Sequence, residues 1–222
     1  YNTGDDGLQN LDVIFKRLPK LMMGFILIAI GTNIMKASKL GLNSWGAFNE
    51  GLTVITGISF GRINQMIGIA VLIIAIFIKI YPGIGTILNM YFIGLFIDIV
   101  DSLGFIGIPV DMPTRLIYLF VGLFIFHLGG YMYMSCELGC GPRDSLMIGL
   151  IKITGKPVSY IRTIIEATVL VLGILLGGTF GIGTIVNTFL GGPLLGAIYK
   201  FFKFDPKKIN QINLFSLNKQ SA

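Results

Sequence analysis

The sequence predicts an all-α fold: a polytopic membrane helix bundle made of two tandem homologous halves. Three observations carry this. Hydrophobic residues make up 54% of the chain and charged residues only 13%, about half the share usual in a soluble domain. The mean hydropathy is +0.81, and so few charges cannot cover the surface of a water-soluble globule. Second, long apolar runs recur from end to end. Third, the phrase GIGTILN at 83–89 returns as GIGTIVN at 181–187, 98 positions later, with one difference, Leu88 against Val186.

The first apolar run, 21–35, follows an acidic and polar start (Asp5, Asp6, Asn10, Asp12) and lacks a small-residue cleavage pattern. It is read as a retained helix, not a signal peptide. A loop with Leu40-Gly41 leads to a short segment, 44–58. The long runs 63–78 and 84–100 follow, separated by the glycine break at GIGT. The second half repeats the order with 116–134, the short segment 142–156, then 161–178 and 182–199. Each long run, with its flanks, meets or approaches the roughly 20 residues that cross a bilayer. The chain divides into a polar N-terminal tail (1–14), a first membrane repeat (15–102), an external linker (103–112), a second repeat (113–200) and a basic, polar cytoplasmic tail (201–222).

One ungapped register aligns the halves. It sets Arg17 on Arg115, Gly24 on Gly122, Gly31 on Gly129, Leu40-Gly41 on Leu138-Gly139, Ile55-Thr56-Gly57 on Ile153-Thr154-Gly155, and Gly94 on Gly192. Matched glycines and arginine count for more than matched leucines. Duplicated halves of this length are typical of membrane transporters. At 1.5 Å per residue, the short segments reach about 21 Å, less than the roughly 30 Å of a hydrocarbon core. They are therefore re-entrant or broken helices, tolerated at depth only where protein or a wet cavity surrounds them. Three crossings per half then invert one half relative to the other, giving about six spanning helices. The distribution of Lys and Arg places Lys16, Arg17 and Lys20 inside but fits three or four crossings per half equally well.

Composition and motifs exclude several functions. The net charge of +6 comes from bases at segment ends, which is membrane topology and not nucleic-acid binding. Cys136 and Cys140 have no second Cys/His pair, and His127 is the sole histidine, so no metal site is expected. No phosphate-binding loop, H-E-x-x-H pair or G-x-S-x-G elbow occurs. No catalytic residue and no cofactor is expected, and the chain is not read as an enzyme.

The candidate solute-binding residues fall in three places. In the repeated phrase, Gly83, Gly85, Gly181 and Gly183 permit a bend and close packing. Two readings stand: a tight outer loop with close helix packing, or a helix N-terminus, capped by Thr86 and Thr184, whose free N–H groups face a polar or anionic solute. Asn89 and Asn187 follow one turn in, expected on facing helices with their amides turned to the interior. In GPRDS (141–145), Pro142 suits a first helical turn, Asp144 suits its positive end, and Arg143 supplies a fixed charge with five donors. Trp45 takes the Arg143 position in the first half. Arg162 and Glu166, at i and i+4, can pair on one helix face, where the first half has Asn64 and Gly68. A carboxylate there is a functional candidate by default. Glu50, Asp98 and His127 are further candidates for proton coupling.

The order LGxxxWxxxxxGL (Leu40 to Leu52), GIGTxxN (Gly83 to Asn89), GLFID (Gly94 to Asp98), GPRDxLMxGL (Gly141 to Leu150), RxxxE (Arg162 to Glu166) and GGxxGIGTxxxxxxxGP (Gly177 to Pro193) resembles the YczE/YyaS/YitT group of bacterial integral membrane proteins. It is most similar to the YczE-like members, which lack a soluble C-terminal domain. The resemblance implies a multi-pass protein of the bacterial cytoplasmic membrane and leaves the substrate open. Together these readings predict a small-solute transporter or channel with its site between the halves. The expected partners are the lipid bilayer and a small polar or anionic solute, and a homo-oligomer is allowed. The alternative is a non-transporting accessory protein that binds a partner complex through the basic tail and the small-residue faces around Gly173, Gly177, Gly192 and Gly196.

Overall fold

Eight helices account for the chain as seen in a computed structural model, which describes residues 5–80, 82–139 and 141–204, with side chains from Ile14 onward except at 158 and 159. Cys140 and the basic tail beyond 204 lie outside the described residues. The helices are α1 (Asp5–Ser38), α2 (Ser44–Thr56), α3 (Phe60–Phe77), α4 (Ile84–Ser102), α5 (Met112–Met134), α6 (Pro142–Thr154), α7 (Val158–Leu175) and α8 (Ile182–Phe201). α1 starts within the stretch expected as a polar tail. α2 and α6, α3 and α7, and the starts of α4 and α8 are each separated by the same 98 residues. Among the described residues, five helical stretches are long and apolar enough to cross a membrane: Ile14–Ser38, Phe60–Phe77, Ile84–Ser102, Met112–Met134 and Ile182–Phe201. The expectation of about six adds α7, whose 18 residues equal α3 in length.

Helix α1 against α5 is the central seam. Glycine makes it possible. A Cβ at Gly24 would lie 2.9 Å from the Tyr133 nitrogen, and one at Gly129 would lie 2.6 Å from the Gly24 carbonyl oxygen. A Cβ at Gly31 would lie 2.7 Å from the Gly122 carbonyl oxygen, and one at Gly122 would lie 2.9 Å from that of Gly31. Backbones meet only where side chains are missing. The pairing of 24 with 129 and 31 with 122 also fixes direction, since numbers rise on one helix as they fall on the other. α1 and α5 are antiparallel. Phe25, Leu21, Met35 and Leu123 fill the seam on either side.

The remaining directions follow from side-chain pairs. Asn33 donates to the Ile97 carbonyl at 3.0 Å and Lys36 pairs with Asp101 at 2.9 Å, so α4 runs parallel to α1. Gly61 meets Gly94 while Gly68 meets Met90, so α3 runs against α4. Gly183 packs on Leu119 and Gly191 on His127, so α8 runs with α5. Short connections then leave α7 parallel to α1.

The repeated glycine phrase clasps the opposite half. The Gly85 N–H donates to the Leu138 carbonyl at 2.7 Å, and the Gly183 N–H donates to the Leu40 carbonyl at 2.7 Å. The carbonyls come from the two Leu-Gly loops, whose Gly41 (φ 101°) and Gly139 (φ 126°) adopt backbone that side chains resist. A Cβ at Gly41 would lie 2.6 Å from the Thr184 hydroxyl oxygen, and one at Gly139 would lie 2.9 Å from that of Thr86. Both threonines are buried, and they turn their hydroxyls back to the N–H groups of Gly83 and Gly181. The N-termini of α4 and α8 are thus occupied by backbone from the other half. Glycine acts here as close-packing residue, and these bends are built into the interior.

Candidate functional site

The short helices place the polar residues. Along α2, Trp45 contacts Glu166 in the middle of α7, Ala47 and Phe48 meet Gly173, and Gly51 meets Leu176. α2 therefore starts at the middle of α7 and runs with it towards one end. Along α6, Arg143 contacts Asn64 and Gly149 packs on Ile78 and Ile80, so α6 runs with α3 towards the other end. The two 13-residue helices point away from each other, and their N-termini converge in the interior. Each closes on a left-handed glycine, Gly57 and Gly155, at its outer end.

At the convergence the Arg143 guanidinium lies over the Trp45 ring, 4.6 Å from its centroid. These are the two residues that share a position in the aligned halves. Beyond the ring, the Trp45 indole N–H donates to Glu166 Oε1 at 3.2 Å. Arg143 Nη2 donates to Asn64 Oδ1 at 2.9 Å, and the same oxygen accepts from Asn49 Nδ2 at 3.0 Å. Asn49 is 1% exposed, and its own Oδ1 has no hydrogen-bond partner. Asp144 is half-buried and lies within electrostatic reach of Arg162, Arg143 and Glu166. The helix ends differ in capping. Asn43 caps α2 by accepting from the Gly46 N–H at 2.7 Å, whereas Gly141 gives α6 no side-chain cap. The α6 amides therefore keep their partial positive charge beside Arg143.

Some expected groupings form and others do not. Trp45, Arg143, Asp144 and Glu166 come together. Arg162 is exposed and does not close an ion pair with Glu166. The close ion pairs among the described residues are Arg17–Glu137 and Lys36–Asp101, both elsewhere. Glu166 turns instead to the tryptophan. Asn89 and Asn187 stand in separate neighbourhoods. Asn89 Oδ1 approaches Gly141 at the α6 N-terminus, and Asn187 lies beside Gly191, next to His127, with Nδ2 buried and unpartnered. α4 packs on α1 and α3, and α8 packs on α5, so the two asparagines are not on facing helices. Glu50 accepts from the Thr179 N–H and Asp98 from Ser59 and the Gly61 N–H, which makes each a fastener of a neighbouring segment. His127 Nδ1 lies 2.9 Å from the Leu123 carbonyl. Asn49 and Asn64 belong to the cluster but carried no sequence signal beyond polarity within an apolar run.

The cluster presents both donors and acceptors to its surroundings. It offers a fixed cation, an uncapped helix N-terminus, an unpartnered amide oxygen and two carboxylates. Among the described residues no group of three or more His, Cys, Asp or Glu is placed to hold a metal ion.

Residues 15–200 match a family of unknown function, DUF6198. The chain is 30% identical over 188 residues to an uncharacterized protein of Haemophilus influenzae, covering 85% of this chain and 84% of that one. It is 34% identical over 175 residues to the uncharacterized membrane protein YczE of Bacillus subtilis, covering 78% and 80%. With YyaS of the same organism it shares 26% identity over 178 residues, covering 78% and 87%. These relatives bear out the resemblance to the YczE and YyaS proteins. No solved structure matches the chain.

Proposed function

The chain belongs to the family of unknown function DUF6198, and from the convergence of its two short helices we propose that it is a small-solute transporter or channel with its site between two pseudo-symmetric halves. One observation carries the reading: α2 and α6 start back to back, with Arg143 stacked on Trp45 where they meet. Half-helices that begin inside a membrane aim the positive ends of their dipoles at a solute there. Arg143 adds a full positive charge with the Asp144 and Glu166 carboxylates beside it, so the solute class is small and strongly polar, with an acceptor or anionic group for Arg143. The antiparallel α1–α5 seam supports inverted halves, because equivalent helices of inverted halves must run in opposite directions. The bacterial relatives support a place in the cytoplasmic membrane.

The test is flux through proteoliposomes of the purified chain, with chloride, acetate and glycerol as probes. We expect saturable uptake of at least one probe. Arg143→Gln lowers it roughly tenfold or more, since a hydrogen bond to a charged group contributes about 1.5–3 kcal/mol and each 1.4 kcal/mol is a factor of ten. Equal uptake by parent and variant sinks the reading. A non-transporting accessory protein is the second reading. It is favoured by Gly192 and Gly196, which present no neighbour on the α8 surface. Its mark is a partner that stays with the chain through purification and is lost in Gly192→Leu, with no flux in either form.

A further inference from the structure

A second polar site lies away from the Arg143 cluster, at the end of the bundle where α1 and α4 finish. A cavity of about 130 Å³ opens there, lined by Asn33, Lys36, Lys39, Asp101 and the start of the linker at Gly104 and Ile106. One water needs roughly 10–15 Å³ of such space, so the cavity has room for a small molecule rather than a single water. Three features make it a built site. Asn33 is 4% exposed; its Nδ2 donates to the Ala29 and Ile97 carbonyls, while its Oδ1 is buried without a partner. Such an acceptor calls for an N–H or O–H donor. Asp101 Oδ1 holds the Lys36 ammonium at 2.9 Å, so these two charges neutralise each other. Lys39 has no ion-pair or hydrogen-bond partner for its ammonium among the described residues, and it leaves the site with one positive charge in excess.

The opposite end of the molecule shows why Lys39 is unpaired. Its counterpart 98 residues on is Glu137, which pairs with Arg17 at 3.0 Å. The counterpart of Arg17 is Arg115, and it cannot pair with a lysine. Arg115 Nε turns to the Pro109 carbonyl instead, at 3.2 Å. The volume differs in the same way. Asn33 and Asp101 correspond to Tyr131 and Tyr199. At that end Tyr131 stacks on Phe202 with centroids 4.5 Å apart, and Phe204 packs edge-on against both tyrosines. Aromatic rings fill one end. The other is left open, with a free cation, and with an unpartnered acceptor buried in its wall.

We propose that this cavity binds a small carboxylate that also carries an N–H or O–H donor, an amino- or hydroxycarboxylate. The carboxylate meets Lys39 and the donor meets Asn33 Oδ1. This site does not depend on the transport reading, because none of its residues belongs to the Arg143 cluster.

The test is calorimetric titration of the detergent-purified full chain with glycine, glycolate and acetate. Glycine and glycolate are expected to bind saturably, and acetate, which lacks the donor, at least about tenfold more weakly. Lys39→Asn removes the charge while tolerating the left-handed backbone at φ 57°. It should weaken glycolate at least about tenfold, and Asn33→Leu should erase the preference for glycolate over acetate. The loss caused by Lys39→Asn should persist in an Arg143→Gln background, where the transport site is disabled, which separates the two sites. Absence of saturable binding, equal affinity for acetate and glycolate, or unchanged affinity in Lys39→Asn would each overturn the proposal.

Discussion

α3 and α4 form a tight seam, whereas α7 and α8, their counterparts 98 residues on, form no comparable one among the described residues. The helix lengths and starts are nearly the same. The difference lies in a few positions. On the first side Gly61 and Gly94 bring the two backbones together, Asp98 binds Ser59 and the Gly61 N–H, and Gln65 donates to the Tyr91 carbonyl at 2.8 Å. On the second side the counterpart of Gly94 is Gly192, which has nothing within reach of a Cβ, and the counterpart of Asp98 is Gly196, equally bare. Matching sequence positions thus give matching helices but not matching seams. A glycine permits close approach. A polar fastener on the facing helix is what holds it.

The sharpest way to break this comparison is to add one methyl group on each side. Gly94→Ala drives a Cβ into the Gly61 carbonyl oxygen, a backbone atom that cannot step aside. The helices must part, at a cost of about 3 kcal/mol or more. Gly192→Ala meets nothing and replaces glycine with the best helix former, so its stability should change by no more than about 1 kcal/mol, in the favourable direction. Melting of the two purified variants decides the matter. Similar losses would mean that α7 and α8 are as tightly joined as α3 and α4.

The next effect in size comes from the fastener itself. Asp98→Ala leaves the Ser59 hydroxyl and the Gly61 N–H without their acceptor. Each such group costs about 1–3 kcal/mol when buried, less in proportion to the water that reaches it. The expected result is a lower melting temperature and faster amide exchange at the start of α3. If exchange quickens throughout the bundle instead, the seam is not a separate unit.

A smaller change addresses the cluster that joins the halves. Trp45→Phe keeps a ring under Arg143 but removes the indole N–H from Glu166. We expect a loss of about 1 kcal/mol. Trp45→Leu, which also removes the ring face, should lose more, because the cation then has no π system beneath it. Equal melting temperatures for the two variants would show that the stacking contributes nothing.

Much of this architecture was legible in the sequence, for a physical reason. Hydrophobic runs report burial in lipid, and short runs report helices that cannot cross, so the helix order and the two short members follow from length alone. The glycine register also foretold where backbones approach. It did not say which backbone. GIGT read as a bend or an open helix end, and the structure fills that end with the Leu-Gly loop of the other half. A loop carbonyl leaves no compositional trace. The candidate site was legible residue by residue in Trp45, Arg143, Asp144 and Glu166. Its pairings were not, because the i,i+4 rule offers Arg162 to Glu166 while the fold brings Trp45 nearer. Asn64 entered only as the counterpart of Arg162, and nothing marked it as the acceptor that Arg143 and Asn49 share.

The smallest expected effect lies at the junction between the halves and asks whether acid loosens the side that α5 begins. Asp111 caps α5 by accepting from the Thr114 hydroxyl and N–H at 2.7 and 2.8 Å. These bonds, the hydroxyl first, hold its carboxyl below the usual carboxylate value of 3.8. A carboxyl so lowered stabilises the fold fully above its ordinary value, and the contribution fades as pH falls through the lower one. The parent should therefore lose a little stability below about pH 4, in the region where an unperturbed Asp titrates. Asp111→Asn keeps a capping oxygen but does not titrate there, so its melting temperature should fall less over the same range. α5 carries α8, so the cap sits at the base of that pair. Amide exchange below pH 4 should accordingly quicken at the start of α5 in the parent and not in Asp111→Asn. Identical exchange in the two proteins would mean that the cap has no part in joining the linker to the second half.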